Sequence, residues 1–157
     1  MEVNLSWGKP KIALGKRGAN GANPTKWDVI DYVVEGTTEL TVSKGDKREA
    51  KIEGGEVEAV RYTANTYELL FSVRLTTGRT LPFTDADGYV DGQYALVLQP
   101  EDPTALGYQF DNVVLSTEDS FSAEDGMILK VTASILKPAS GQTIKRKVID
   151  NITAPTL

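Results

Sequence analysis

The sequence predicts an all-β domain, mainly antiparallel, folded as a barrel or sandwich of roughly 7–10 strands with at most one short helix. Three observations carry this reading. Residues 67–75 place Tyr67, Leu69, Phe71, Val73 and Leu75 on one side and Glu68, Ser72 and Arg74 on the other, with Leu70 the exception. Residues 127–137 repeat the pattern, with Leu129, Val131, Ala133 and Ile135 opposite Lys130, Thr132 and Ser134. Such alternation is the period of a half-buried strand. Gly, Pro, Asn and Asp clusters punctuate the runs, and no helix of convincing length can be placed between them.

Taken in order, Val3, Leu5 and Trp7 alternate with Asn4 and Ser6 as a strand or docked arm, and residues 11–14 form a second short strand. Three glycines, two asparagines and Pro24 then make residues 15–26 a flexible surface loop. It lacks the spacing of a phosphate-cradling loop, and no helix follows it. Residues 27–34, WDVIDYVV, are β-branched and aromatic and read as a strand that Gly36 ends. Residues 39–43 are extended, and 44–47 turn. Residues 48–58 carry charges of both signs around Gly54-Gly55, the composition of a solvated hairpin or of an arm ordered against a neighbouring subunit.

Weak alternation over residues 57–62 leads into the strand at 67–75. Asp85, Asp87, Gly88 and Asp91 mark a turn. Aligned as a calcium loop, this segment puts Phe83 and Tyr94 where oxygen ligands belong, so a turn is the better account. Residues 94–99, YALVLQ, form a strand ended by Pro100, and residues 100–107 allow a single helical turn. Residues 110–138 hold the strongest pairing signal: two apolar strands joined by the acidic bend Ser122-Ala123-Glu124-Asp125. Val113 and Val114 in its first strand cannot share a face. A last strand over residues 142–149 puts Ile144 and Val148 on one face and Lys145 and Lys147 on the other. Residues 151–157 form a loose terminus. No repeat or linker divides the 157 residues, which read as one domain.

Composition removes several classes of function. The chain has no Cys and no His, so disulfides, thiolate or imidazole metal sites, cysteine nucleophiles and Ser–His–Asp triads are impossible. The adjacent carboxylates Glu118–Asp119 and Glu124–Asp125 point to opposite faces in a strand and are solvated in a loop, which disfavours paired acid–base work. The expectation is a non-catalytic protein with no cofactor and no metal. With 17 basic against 22 acidic residues, the net charge is −5, lacking the basic footprint that holds nucleic acid. No apolar run approaches the length of a membrane span. The N-terminal MEVNLSWGKPK lacks the basic and apolar regions of a signal peptide, so export by that route is not expected.

The stretch FDNVVLSTEDSFSAEDGMILKVTASI followed by KPASGQTIKRKV resembles the C-terminal half of phage tail tube proteins, a family that includes the tube protein of type VI secretion. The segment TELTVSKGDKREAKIEGGEVEAV resembles the charged, threonine-bearing hairpin that such proteins extend toward their neighbours. The resemblance implies a prophage-borne virion protein, made in the bacterial cytoplasm. It assembles into hexameric rings that stack into a tail tube, touches other tail proteins, passes DNA along a channel without holding it, and contacts no membrane. Family members usually pack a helix on the barrel, and none is evident here. On this reading the interface lies in loop 15–26 and hairpin 44–58, with Lys16, Arg17, Lys44, Asp46, Lys47, Arg48, Glu49, Lys51 and Glu53 as candidates. The competing reading is an Ig-like or carbohydrate-binding sandwich with Trp27, Tyr89 or Tyr94 exposed as a sugar platform.

Overall fold

A computed structural model describes residues 5–18, 24, 26–30, 32–138 and 141–149. Val3 of the expected arm, residues 19–23 and 25 of the expected loop, and the expected loose terminus 151–157 lie outside the described residues. Among the described residues there are twelve strands and no helix. They are β1 (Lys11–Lys16), β2 (Asp28–Ile30), β3 (Glu39–Ser43), β4 (Lys47–Lys51), β5 (Val57–Tyr62), β6 (Thr66–Arg74), β7 (Asp85–Ala86), β8 (Tyr89–Val90), β9 (Tyr94–Gln99), β10 (Leu106–Ser122), β11 (Gly126–Ile135) and β12 (Lys145–Val148). All their pairings are antiparallel. Ten strands form one sheet, and β4 and β5 form a second by themselves.

The main sheet runs β2-β1-β9-β10-β11-β6-β3 and is built around β10. This strand of 17 residues is long enough to serve two partners in succession on each edge. On one edge it pairs with β9 and then, at Ser116, with Tyr89 of β8. On the other it pairs with β12 over residues 106–109 and with β11 over residues 113–122. The all-β, antiparallel class read from the sequence is therefore the class observed, with twelve strands where roughly 7–10 were expected.

A bulge in the middle of β10 makes this double duty possible. The register with β9 slips between Phe110, opposite Leu96, and Val113, opposite Tyr94. One inserted residue resets the alternation of sides. Phe110 and Val113, an odd number of positions apart, therefore both join the core with Leu96 and Tyr94. Insertion leaves backbone groups without ladder partners, and the neighbours supply them. The Asp111 carbonyl accepts a hydrogen bond from the Arg17 guanidinium, and the Asn112 carbonyl accepts one from Leu136 N–H at 2.9 Å. The buried Asp111 carboxylate is held by Lys145 Nζ at 2.6 Å and by Gln109 Nε2 at 3.0 Å.

Alternation on either side of the bulge defines the core. Ile12 and Leu14 of β1, Leu69, Phe71 and Val73 of β6, and Leu129, Val131 and Ala133 of β11 pack with Phe110, Val113 and Leu115. The reverse face of β1 and β9 carries a smaller cluster, Ala13, Val97 and Ile149, covered by Trp27 and Val29. This second cluster corrects the reading of the last strand. Ile144 is buried as expected, but Val148 is 46% exposed and Ile149 takes the buried place. The chain turns toward the reverse face there, and the Gln99 side chain donates to the Ile149 carbonyl at 2.5 Å.

Among the described residues, the strand expected over residues 27–34 is regular only at Asp28–Ile30. Beyond it the chain crosses to the other end of the sheet, where Val33 forms an isolated bridge with Val73 and Val34 N–H donates to the Ser72 carbonyl at 2.8 Å. One bridge joins the two sides of the curled sheet, and no closed barrel results. The helical turn allowed at residues 100–107 is a β-turn instead. Ala105 N–H donates to the Asp102 carbonyl at 3.0 Å, with Asp at the first position and Pro103 at the second, as a type I turn favours. At Asp87-Gly88, φ values of 55° and 90° make the two-residue turn of the β7–β8 hairpin, the geometry that Asp-Gly favours.

The Asp111 contacts carry a prediction. Asp111→Ala removes the partner of Lys145 and of the buried Gln109 amide. It is expected to lower stability by about 2 kcal/mol, less than for a fully buried pair because Lys145 can rehydrate. Urea unfolding measures this, and a change below about 0.5 kcal/mol contradicts the role given to Asp111.

Candidate functional site

The most exposed ordered element is the β4–β5 hairpin. It begins at Lys47 and ends at Tyr62, so the boundaries read from sequence, 44–58, started in its base and stopped inside its second strand. The misplacement has a cause: Val57 to Tyr62 show no buried face, and every residue of β4 and β5 is exposed. The hairpin keeps the register of the β3–β6 pair beneath it, where Ser43 faces Thr66. The two form one ribbon with a waist at residues 44–46 and 63–65. Here Gly45 N–H donates to Asn65 Oδ1 at 2.9 Å, and Thr63 N–H donates to the Asp46 carbonyl at 2.8 Å. A Cβ at Gly45 would sit 2.0 Å from the Thr63 carbonyl oxygen, so only glycine fits. Past the waist the ribbon extends about 25 Å from Lys47 to Gly54, at the usual rise per strand residue.

Its two faces differ. Lys47, Glu49 and Lys51 share one face with Val60 and Tyr62. Glu49 lies between the lysines at 2.6 and 3.8 Å, and the Lys44 ammonium stands 5.5 Å from the Tyr62 ring centre. The opposite face carries Arg48 directly across from Arg61 and Ala50 across from Ala59. Among the described residues neither arginine forms an ion pair. Like charges directly opposed on a ribbon are unfavourable.

A second exposed element lies at the far end of the same strands. Past Thr117, whose N–H donates to the Gly88 carbonyl, β10 pairs only with β11 among the described residues, and β11 leaves β6 at Ile128, with the Met127 carbonyl taking the Leu75 N–H. The two therefore overrun the sheet as a hairpin. Phe121 and Met127 face each other there, 76% and 55% exposed, on the face that is buried further in at Leu115 and Val131. The apolar stripe of the core runs out into solvent. The acidic bend is a three-residue turn in which Ser122 Oγ accepts from Asp125 N–H at 3.0 Å, a capping contact with no helix behind it.

The nine interface candidates do not gather at one place. Lys44, Asp46, Lys47, Arg48, Glu49, Lys51 and Glu53 lie in the ribbon or its waist, whereas Lys16 and Arg17 end β1 on the body. Lys16 is exposed, but Arg17 is partly buried and spends its guanidinium on the β10 bulge. Sequence reasoning missed Phe121 and Met127. The signal was present: alternation through Leu129 and Val131 continues to Met127 beyond the length that the body can cover.

The proposed sugar platform is not assembled. Tyr94 lies in the main core, Trp27 packs on the reverse-face cluster, and only Tyr89 is exposed. Burial, with the Asp91 carboxylate adding to it, raises the pKa of the Tyr94 hydroxyl above the ordinary value. At Asp102 the hydroxyl and then the N–H of Thr104 hold the carboxyl below its usual range. Asp85 serves the turn, accepting from Gly88 N–H at 3.1 Å and from the Thr117 hydroxyl. Among the described residues no group of three or more acidic side chains is placed to hold a metal ion. An open cleft of about 830 Å³ lies between the 6–10 segment, the 33–38 loop and β9, walled by Val33, Leu40, Leu98 and Tyr108. At its rim Lys9 N–H donates to the Glu101 carboxylate at 3.1 Å.

No protein-family model matches the chain, and no curated protein matches it.

The ribbon's isolation predicts that it can be removed. Replacing residues 47–62 by Asn-Gly joins Asp46 to Thr63, which are already hydrogen-bonded, and should change the stability of the body by less than about 1 kcal/mol. Thermal unfolding of the shortened chain checks this. Loss of the folded state would show that the ribbon supports the core.

Proposed function

We propose that this chain is a structural subunit of a phage tail tube, made in the bacterial cytoplasm and incorporated into the virion tail, with self-assembly as its function and no catalysis. Its copies form hexameric rings that stack into a tube, and its partners are itself and other tail proteins. The observation that carries this reading is the ribbon β4–β5. It leaves the body without packing on it, yet presents Val57, Val60 and Tyr62 to solvent at 45–57% exposure. A two-stranded ribbon is marginal by itself in water, so an ordered one with apolar side chains outward is suited to lie against another copy. Among the described residues the outer edge of β3 is unpaired, which supports the same reading, since an unpaired edge is a template for strand addition between subunits. A net charge of −5 suits a channel wall that passes DNA without retaining phosphates. The dispersal of Trp27, Tyr89 and Tyr94 gives no support to the sugar-binding alternative.

Negative-stain microscopy of the concentrated protein, with light scattering on the same sample, tests the proposal. Rings or tubes with six-fold symmetry are expected, with scattering mass rising with concentration. A monodisperse monomer across the whole range, with or without preformed tube fragments as seeds, overturns it.

A further inference from the structure

The ribbon and the overrunning β10–β11 hairpin stand at opposite ends of β6. The ribbon's waist adjoins Thr66, whereas the hairpin tip adjoins Arg74, where Leu75 N–H donates to the Met127 carbonyl at 3.0 Å. From Tyr67 to Arg74 the body separates them by about 23 Å at the rise of a strand, so each is placed to meet a partner outside its own body. Their chemistries are complementary. The tip offers exposed Phe121 and Met127 among Glu118, Asp119, Glu124 and Asp125, of which Glu118 lies directly across from Lys130. Among the described residues none of these four carboxylates has an ion pair. The ribbon face bearing Arg48 and Arg61 offers two opposed cations beside Ala50 and Ala59, small side chains that leave a shelf for an apolar group.

We propose that the β10–β11 tip of one copy docks on the Arg48–Arg61 face of the ribbon of the next, making a head-to-tail contact along the strand direction. The occupant of each surface is thus a second copy of this chain. Phe121 and Met127 lie on the alanine shelf, and the tip carboxylates supply the anions that two facing arginines call for. The ribbon's other face already satisfies its charges through Glu49, which is why the contact uses the arginine face. A head-to-tail contact that does not close on itself repeats without limit, so it stacks subunits axially rather than closing a ring. The inference rests on the self-assembly reading and names the contact responsible for growth.

The test uses two full-length variants. One carries Arg48→Glu with Arg61→Glu; the other carries Glu124→Lys with Asp125→Lys. All four positions are exposed, and circular dichroism checks that both variants fold. Each alone meets like charge at every axial contact. The concentration for half-assembly, read by sedimentation velocity, should rise at least about tenfold. Mixed in equal amounts, the variants meet opposite charge at every contact and should regain assembly as alternating copies. If either variant assembles alone as the unmodified chain does, or if mixing restores nothing, the docking contact is overturned while self-assembly stands. If the unmodified chain never assembles, the self-assembly reading fails and takes this contact with it.

Discussion

A single strand, β10, has to satisfy four partners, and the rest of the structure follows from how it does so. Pairing with β9 and β12 along its first half and with β11 and β8 along its second requires the apolar face to change phase between them. The bulge at residues 111–112 supplies that change, and the Asp111 cluster holds it. Arg17 satisfies the carbonyl that the bulge frees, and Lys145 ties the carboxylate to β12. Without the phase change, Phe110 and Val113 could not both enter one core. The buried charge of Asp111 is thus tolerated where the ladder is broken, with a cation and an amide in reach.

The same length of β10 explains the exposed chemistry at its end. The body covers one stretch of the strand, and the remainder carries its apolar alternation into solvent as Phe121, opposite Met127. At the other end of the sheet, the β3–β6 register continues through a glycine-tight waist into the ribbon. Two protrusions therefore arise from strands that are longer than their core, at opposite poles: an acidic tip, and a ribbon of balanced charge with two arginines opposed on one face.

Much of this was legible in the sequence where one face meets the core and the other meets water. The alternation in β6 and β11 and the apolar run of β9 place those strands to within a residue or two. Legibility failed where burial follows another rule. β10 begins at Leu106, ahead of the expected start, because Gln109 is buried by side-chain hydrogen bonding on the reverse face rather than by apolarity. β5 has no buried side to show. Ile149 rather than Val148 is buried because the reverse-face cluster is assembled from β1, β9 and the chain after β12, segments far apart in sequence. Arg17 read as a surface cation because the bulge that it serves lies across the sheet. Of the candidate site, the ribbon's charges were visible, but the hairpin tip was not, since overrun depends on the length of neighbouring strands.

The central claim is that the ribbon and the hairpin tip exist for contact between copies while β10 holds the body. Amide hydrogen exchange, compared between dilute and assembled protein, tests it most directly. The account predicts slow exchange at residues 107–116 in both states. At residues 47–62 and 118–127 exchange should be fast in the dilute protein and slow only in the assembly. Equal exchange at these two segments in both states would contradict it.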